Sequence, residues 1–320
     1  MDEKLCRLPE HFWYTKQPIC HNTLDNAQLE TRCPLDNGRH SDESVPLRHL
    51  AGKLDQLPAE LLIYVLQRLD IPSLTRFRRV NRRAMELVDG LLCYNVLIKH
   101  CPNIIRAIIS VQADSFDCAT LCRTLSTDKC STCTRFGDHL YLIDCRRVCY
   151  FCYTHHPEFF PLTTRQASSY FPPNPNKQRK VATGLQILQA VNPPSVLSLP
   201  GRYCAAWTND GGYLARKRLR LYDRLSVVHS ETEISLPKLD KTTREPRRFM
   251  AIITAPYFLD HGRYVDWGYF CTGCKEEKEE DTRHFRMKYT EAGLLEHFAR
   301  YGPVEEMPRI PGRFTHASPV

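Results

Sequence analysis

Glycine is scarce in this sequence, with 14 residues among 320, and no glycine-rich loop has the spacing that cradles phosphates. The motifs G-x-S-x-G and H-E-x-x-H are absent too, so two common hydrolase signatures are missing. The longest uncharged apolar run, at 249–259, has 11 residues, whereas a transmembrane helix needs about 20. The sequence therefore favours a non-catalytic protein that does not span a membrane.

A secretory signal is also missing, because residues 1–5 read Met-Asp-Glu-Lys-Leu without a basic and then apolar run. Cysteine, in contrast, is plentiful, with 15 residues, an odd number. These features predict a reducing compartment, the cytoplasm or the nucleus, where clustered cysteines bind metal more often than they form disulfides. The net charge of +8 is mild for a chain of this length.

The 22 prolines suggest folded modules joined by long loops, and the patterning changes along the chain. Helical spacing of apolar residues gives way to cysteine pairs and then to short strand-like runs such as 219–222 and 250–253, before a last helix candidate at 291–299. This order predicts an α+β fold with a small three-helix module and a mixed helix and strand domain. The predicted divisions are a disordered or loosely attached arm at 1–52, the helical module at 53–95, linking helices at 96–127, a zinc-stapled domain at 128–300 and a loose tail at 301–320.

The helical module begins at Leu57-Pro58, where proline suits the first position of a helix. Its first helix carries apolar residues over roughly 200° of arc, about twice the stripe that a surface helix normally buries. Asn81 is predicted to cap the third helix. About 40 residues rarely bury enough surface to fold alone, so either a partner protein or the rest of the chain is expected to cover this module.

Three cysteine pairs have the C-x2-C spacing, whereas fewer than one would be expected from shuffling the composition. The first two pairs are 15 residues apart, which is typical of a four-cysteine zinc site. Four thiolates fill a tetrahedral site and leave no open position, so this zinc is predicted to be structural. The predicted ligands of the first site are Cys130, Cys133, Cys149 and Cys152.

The third pair, Cys271 and Cys274, needs two further ligands. His297 is the preferred third ligand, and Cys145 or His284 is the candidate for the fourth. Three residues, Cys145, His155 and His156, are also alternatives to members of the first site, because they lie close to it in the sequence.

The helical module resembles an F-box in the form found in fungal proteins. The resemblance rests on Leu57, Pro58, Glu60, Leu61, Leu62, Val65, Leu66, Leu69, Leu74, Phe77, Val80, Asn81, Arg82 and Arg83. It implies that the module docks on a Skp-family adaptor and, through it, on a cullin. By this resemblance the adaptor-binding residues are Leu57, Pro58, Leu61, Leu62, Val65, Leu66, Leu74 and Phe77.

The cysteine-rich region is similar to the carboxy-terminal part of such proteins, through its cysteine pairs, Trp267-Gly268 and His297-Phe298. Several family members continue His-Phe-x-x-Cys, whereas this chain has Tyr301 at the last place, so the resemblance leaves the second site incomplete. The family implies a non-enzymatic subunit of a ubiquitin ligase that holds an unidentified protein target.

Two other functions stay open on the residues alone. Zinc knuckles together with the basic runs at 216–220 and 244–248 are compatible with nucleic-acid binding, although alternating charge in the first run also fits a strand with one wet face. A metal-dependent hydrolase would need zinc with three protein ligands and a bound water, which a four-cysteine set does not offer.

Overall fold

The computed structural model describes residues 8–15, 23–35, 52–171, 183–203, 213–229, 246–275, 284–308 and 310–317. Within these residues the fold mixes helices with small antiparallel sheets, which confirms the predicted α+β class. The helices are α1 (Leu29–Arg32), α2 (Ala59–Gln67), α3 (Ile71–Arg78), α4 (Arg82–Asp89), α5 (Leu92–His100), α6 (Pro102–Val111), α7 (Cys118–Leu125), α8 (Tyr150–His155), α9 (Thr164–Ser169), α10 (Gly184–Val191), α11 (Arg224–His229) and α12 (Glu291–Tyr301).

The strands are short and pair antiparallel throughout the described residues. They are β1 (Trp13–Tyr14), β2 (His139–Tyr141), β3 (Arg146–Val148), β4 (Leu162–Thr163), β5 (Ser195–Leu197), β6 (Gly201–Tyr203), β7 (Tyr213–Ala215), β8 (Arg220–Tyr222), β9 (Ile252–Thr254), β10 (Tyr257–Leu259), β11 (Tyr264–Asp266), β12 (Phe270–Cys271), β13 (Val304–Glu306) and β14 (Phe314–His316). Two sheets have three strands, in the orders β3-β2-β9 and β4-β8-β5.

Local sequence explains where the helices of the amino-terminal half begin. The Asp70 carboxylate accepts a hydrogen bond of 2.8 Å from the Ser73 amide at the start of α3. Asn81 caps α4 in the same way, accepting from the Ala84 amide at 2.8 Å, which confirms the predicted cap. Pro58 is the N-cap residue of α2, so the helix begins at Ala59, one position after the predicted start at Pro58.

One large apolar core joins the amino-terminal helices to the strands behind them. It runs without a break from Leu62 and Leu66 on α2, through the isoleucines of α6, to Leu140 on β2 and Ile252 on β9. α2 packs against α7, and α3 packs against α4 and α6. The helices at 96–127, predicted as linkers, therefore form the middle of the core and provide the cover that the small helical module needs.

The amino-terminal arm is attached at two places, in contrast to the loose segment that was predicted. Leu24 and Leu29 are buried in the large core, and the Asp25 carboxylate accepts hydrogen bonds from the backbone amide and the hydroxyl of Thr254. β1 pairs with β12, so residues 13–14 extend a sheet. The rest of the arm, with Cys6 and Cys20, lies outside the described residues.

The tail beyond residue 301 is also ordered where the structure describes it. β13 and β14 form a hairpin in which Val304 pairs with His316, and the Ala317 amide donates to the Pro303 carbonyl oxygen. This hairpin belongs to a second, smaller core with Leu294 and Tyr269. The prediction of a loose tail missed it because four prolines within 19 residues dominate the composition there.

Among the described helices, none combines the length and the apolar character that crossing a bilayer requires.

Candidate functional site

α2 presents apolar side chains to solvent on one face and to the core on the other. Leu61 is 53% exposed, whereas its neighbour Leu62 is 4% exposed. Val65 lies on the same outward face as Leu61, because positions four apart on a helix lie on one side, and Leu57 is exposed just before the helix begins. We call Leu57, Leu61, Tyr64 and Val65 the α2 face.

Three residues to which the F-box resemblance gave an adaptor-binding role are instead part of the core. Leu62, Leu66 and Leu74 are buried, since α2 and α3 pack against the helices behind them. Their side chains are closed to a partner, and the direct contact predicted for them is not what this fold provides. Of the other predicted residues, Leu57, Pro58, Leu61 and Val65 are exposed and Phe77 is partly buried.

Arg68 lies beside Tyr64 at the end of the α2 face. The Arg68 guanidinium lies 5.2 Å from the centre of the Tyr64 ring and 3.4 Å from the Asp117 carboxylate on the residue before α7. Neither Tyr64 nor Arg68 was predicted as a site residue. The signal was available, because Tyr64 follows Leu61 by three positions and therefore shares its side of the helix.

The first cluster comprises Cys130, Cys133, Cys149 and Cys152, whose sulfur atoms all lie within 4.8 Å of one another. The loop that carries the first two closes through backbone hydrogen bonds, including one from the Cys130 amide to the Arg135 carbonyl oxygen at 2.9 Å. The hairpin of β2 and β3 leads directly to Cys149, and Cys152 follows on the first turn of α8. The structure thus brings all four predicted ligands together.

The spacing of these sulfur atoms fits a tetrahedral metal ion. Zinc–sulfur bonds of about 2.3 Å place two thiolates about 3.8 Å apart across a tetrahedron. The Sγ atoms of Cys133 and Cys149 are 3.7 Å apart. With all four positions filled by protein, a metal ion bound here has no vacant position for substrate.

The thiols of the first cluster compete for protons. The pKa of Cys130 lies far below its usual range, chiefly because its sulfur accepts hydrogen bonds from Cys149 and then from Cys152. The pKa values of Cys149 and Cys152 are raised, in both cases first by their hydrogen bonds to Cys130. A bound dication stabilises all four thiolates together and removes this competition.

The second cluster comprises Cys271, Cys274, His297 and His316, whose ligand atoms also lie within 4.8 Å of one another. Cys271 ends β12, His297 lies on α12 and His316 ends β14. The ligand atoms of the cluster thus come from three segments of the chain. A fourth segment, β1, is attached to the cluster because it pairs with β12.

Its distances also match a tetrahedral Cys2His2 site, for which about 3.6 Å between sulfur and nitrogen and about 3.3 Å between nitrogens are expected. Cys274 Sγ lies 3.3 Å from His297 Nε2 and 3.2 Å from His316 Nε2, and the two Nε2 atoms are 3.2 Å apart. His316 Nδ1 lies 2.8 Å from the Gly302 carbonyl oxygen, an atom that can only accept. Nδ1 therefore carries the proton, and the Nε2 lone pair points into the cluster, as metal-binding histidines are commonly oriented.

The electrostatics of the second cluster favour thiolate as well. The pKa of Cys271 is lowered to about 3, first by a hydrogen bond from Cys274 and further by His297 and His316. The His297 ring is held between the Tyr289 and Tyr301 rings, with centroids 4.9 Å and 4.8 Å away. Tyr301, at the place where relatives of the predicted family carry cysteine, is thus a wall of the cluster, and His316 supplies the fourth ligand atom.

Cys145 belongs to neither cluster, which corrects its prediction as a ligand. It lies in the turn between β2 and β3 with a positive φ of 60°, and its thiol contacts the Thr124 hydroxyl at 3.7 Å. Burial raises its pKa to about 12, so the thiol stays protonated.

Two of the three histidines considered as alternative ligands, His155 and His156, lie outside the first cluster. His155 Nδ1 lies 3.0 Å from the Phe151 carbonyl oxygen, and His156 lies beside Glu158, so neither joins the first cluster. The side chain of His284 is outside the described residues.

The basic runs at 216–220 and 244–248 are only partly engaged within the protein where they are described. Arg218 donates to the carbonyl oxygens of Ser198 and Leu197. Arg248 is buried and donates to the carbonyl oxygens of Tyr153 and His156 at 2.9 Å and 2.7 Å. Arg216 and Lys217 are exposed, and Arg244 lies outside the described residues.

Comparison with known proteins gives one match. Residues 54–95 match the sequence model of the F-box domain. No curated protein and no solved structure matches the chain. The match covers α2, α3 and α4 and the first residues of α5, the part of the fold that carries the α2 face. This chain therefore contains an F-box domain at residues 54–95, followed by two cysteine and histidine clusters with the geometry to hold metal ions.

Proposed function

We propose that this chain is the substrate-recognition adaptor of a Skp-cullin-F-box ubiquitin ligase and has no catalytic activity of its own. The observation that carries the proposal is the α2 face: Leu61 and Val65 lie exposed on one side of a helix within the matched F-box, and Leu57 is exposed just before it. Exposed apolar patches of this kind mark protein interaction sites. The partner that fits is a Skp-family adaptor, which links to a cullin.

The metal clusters act as structural parts of this adaptor and bind zinc. Thiolate and imidazole sets with tetrahedral spacing suit zinc better than magnesium or calcium, which prefer oxygen ligands. Each set supplies four protein ligands, so each ion would fix segments that are too short to hold themselves in place. We expect two zinc ions per chain, measured by elemental analysis of the protein purified without a tag.

The target-binding side is assigned to the domain behind the F-box. A groove of about 780 Å³, whose lining includes His297 of the second cluster, lies between the loop at 128–136, the segment at 287–290 and α12. It brings together basic and aromatic side chains, which supports a role in holding a protein segment. Because the sulfur clusters call for reduced thiols, the proposed location is the cytoplasm or the nucleus.

Nucleic-acid binding is supported less well. Arg248 is buried and therefore closed to phosphates, and the exposed Arg218 already donates to the carbonyl oxygens of Ser198 and Leu197, so part of the charge of the basic runs is engaged within the protein. A zinc-dependent nucleic-acid binder would lose affinity steeply as salt is raised. Absence of DNA and RNA binding at low salt is the expected result for an adaptor.

Co-expression with a Skp-family adaptor tests the proposal. The wild-type chain should co-purify with the adaptor, and Leu61→Asp combined with Val65→Asp should abolish co-purification. Leu66→Asp is unsuitable, because Leu66 is buried and the variant would unfold. The matched control is Leu295→Asp on α12, since Leu295 is 52% exposed and lies outside the F-box. Retained binding by the double variant would contradict the proposal.

A further inference from the structure

A cavity of about 360 Å³, whose lining includes no residue of either cluster, lies in the lobe built on the β4-β8-β5 sheet. Its lining comes from the residues before and within β4, from α9 and from the first residue of α11: Phe160, Leu162, Gln166, Ser169, Tyr170 and Arg224. The lining has one cationic side chain and no carboxylate. Its volume is at the lower end of the range for small-molecule sites.

Arg224 lies in this cavity in an unusual electrostatic situation. The residue is only 4% exposed, and its Nε atom has no hydrogen-bond partner. Among the residues that the structure describes, no carboxylate lies within ion-pair distance of its guanidinium. Leaving a buried charge without partners is costly. Arg147 is similarly buried and its Nε atom also has no partner, but its terminal nitrogens donate to the Pro256 and Ala255 carbonyl oxygens. The Arg224 guanidinium makes no such hydrogen bond to any residue that the structure describes.

The polar groups around Arg224 add hydrogen-bond donors. Gln166 Oε1 accepts from the amide and hydroxyl of Thr163, both at 3.1 Å, and from Arg247. Its amide nitrogen therefore remains available to donate into the cavity. The Tyr170 hydroxyl has no hydrogen bond within the described part of the chain, so it is a further available donor.

The apolar wall of the cavity is itself placed against positive charge. The Phe160 ring faces two guanidinium groups. The Cζ atom of Arg247 lies 4.3 Å from the ring centre, and the Cζ atom of Arg248 lies 5.2 Å from it. Leu162 continues this wall. A ligand here would meet an apolar surface on one side and a cation with neutral donors on the other.

We propose that this cavity binds a small organic oxyanion, a phosphate or carboxylate on a compact apolar body, with the Arg224 guanidinium as the charged anchor. A guanidinium matches the two oxygens of such a group in a bidentate pair, which supplies the missing countercharge. The wall of Phe160 and Leu162 would cover the apolar body. The inference is independent of adaptor binding, because none of these residues belongs to the α2 face or to either cluster.

Calorimetric titration of the full-length protein with phenyl phosphate tests the proposal, with benzyl alcohol as the neutral probe. Phenyl phosphate should bind and benzyl alcohol should not. Arg224→Gln should weaken phenyl phosphate binding by about 10- to 100-fold, the effect expected for one charge-assisted hydrogen-bonding pair, and Arg224→Lys should retain part of the affinity. Equal affinity of the wild type and Arg224→Gln would overturn the proposal, as would no binding of phenyl phosphate by the folded wild type.

A second variant keeps the test decisive if Arg224→Gln does not fold. Ser169 is exposed at the rim of the cavity, so Ser169→Asp adds a repelling carboxylate without disturbing the core. It should weaken phenyl phosphate binding, whereas the same change one residue earlier, Ser168→Asp, should not, because Ser168 is not part of the lining. Equal effects of the two substitutions would count against the site.

The oxyanion could belong to a free molecule or to a modified side chain of a protein. A capped phosphotyrosine dipeptide, titrated beside free phenyl phosphate, separates the two sources. Tighter binding of the dipeptide supports a modified protein side chain, and tighter binding of phenyl phosphate supports a free ligand. Thermal melting supplies an independent readout: Arg224→Met should raise the melting temperature of the ligand-free protein, because it removes an unpaired buried charge. A lowered melting temperature, together with no response to phenyl phosphate in the wild type, would refute the assignment.

Discussion

Replacing His316 by alanine removes one of the four ligand atoms of the second cluster and leaves Cys271, Cys274 and His297 in place. We expect a zinc ion held by the remaining three ligands to be exposed to water and to dissociate readily. The first cluster shares no residue with the second, so its ion should be unaffected. The wild type should therefore retain two zinc ions per chain under a chelator challenge that reduces His316→Ala to one.

The energetic effect follows from what the ion holds together. When the free zinc concentration is 1,000 times the dissociation constant of the site, zinc binding stabilises the folded state by about 4 kcal/mol. A variant that does not bind the ion loses that stabilisation. The loss should be local, because the large core does not include the second cluster. The segments at risk are β1, which pairs with β12, and the hairpin of β13 and β14.

Two measurements check this expectation. Elemental analysis after dialysis against a chelator counts the ions, and limited proteolysis followed by mass spectrometry locates the loosened segments. His156→Ala is the matched control, since His156 is a partly exposed histidine outside both clusters. If His316→Ala keeps two ions, or if cleavage appears first in the helices of the large core, the assignment of His316 is wrong.

Four further substitutions have outcomes that the structure specifies. In urea denaturation, Leu62→Ala should lower the free energy of unfolding by about 2–5 kcal/mol. Leu61→Ala, on the solvent side of the same helix, should change it by no more than about 0.5 kcal/mol, and equal losses would contradict the division of α2 into two faces. Burial raises the pKa of Asp144 to about 7, above its unfolded value, so the folded state holds this proton more tightly and stability should fall as pH rises from about 4 to about 7. Asp144→Asn should reduce that slope, and an unchanged slope would show that another group is responsible. Gly302→Ala should make the carboxy-terminal hairpin more sensitive to protease and weaken zinc retention. Gly302 has a φ of +89°, and an added Cβ would lie 2.0 Å from the Ala317 carbonyl oxygen. Protease resistance equal to that of the wild type would argue against this packing.

Features set by short stretches of sequence were predictable here. The Asn81 cap depends on a side chain and an amide three residues apart, and the α12 helix follows from the spacing of Leu294, Leu295 and Phe298. The first cluster is similar, because its knuckle pairs and the 15-residue separation make it visible as a pattern. In each case the interacting groups are close in sequence or repeat at a known spacing.

Features that depend on distant contacts were not predictable. The fourth ligand atom of the second cluster comes from His316, 45 residues after Cys271. No known sequence spacing connects a C-x2-C pair to a strand in a proline-rich tail. The burial of Leu24 depends in the same way on a core in which every member except Ala27, Leu29 and Leu35 lies more than 30 residues away. The wide apolar arc of α2 indicated that two sides of the helix needed to be covered. It did not indicate which side the chain itself would cover, because that depends on the packing of α7 and the helices around it.

The shared core of α2 limits what transplantation of the F-box could achieve. Residues 54–95 moved onto an unrelated scaffold would carry Leu62, Leu66 and Leu74 without the helices that now cover them. In such a chimera α2 would expose two apolar faces instead of one, and the protein would be prone to self-association. A workable graft would have to include α5, α6 and α7, so the smallest portable unit is set by packing and is larger than the stretch that sequence comparison delimits.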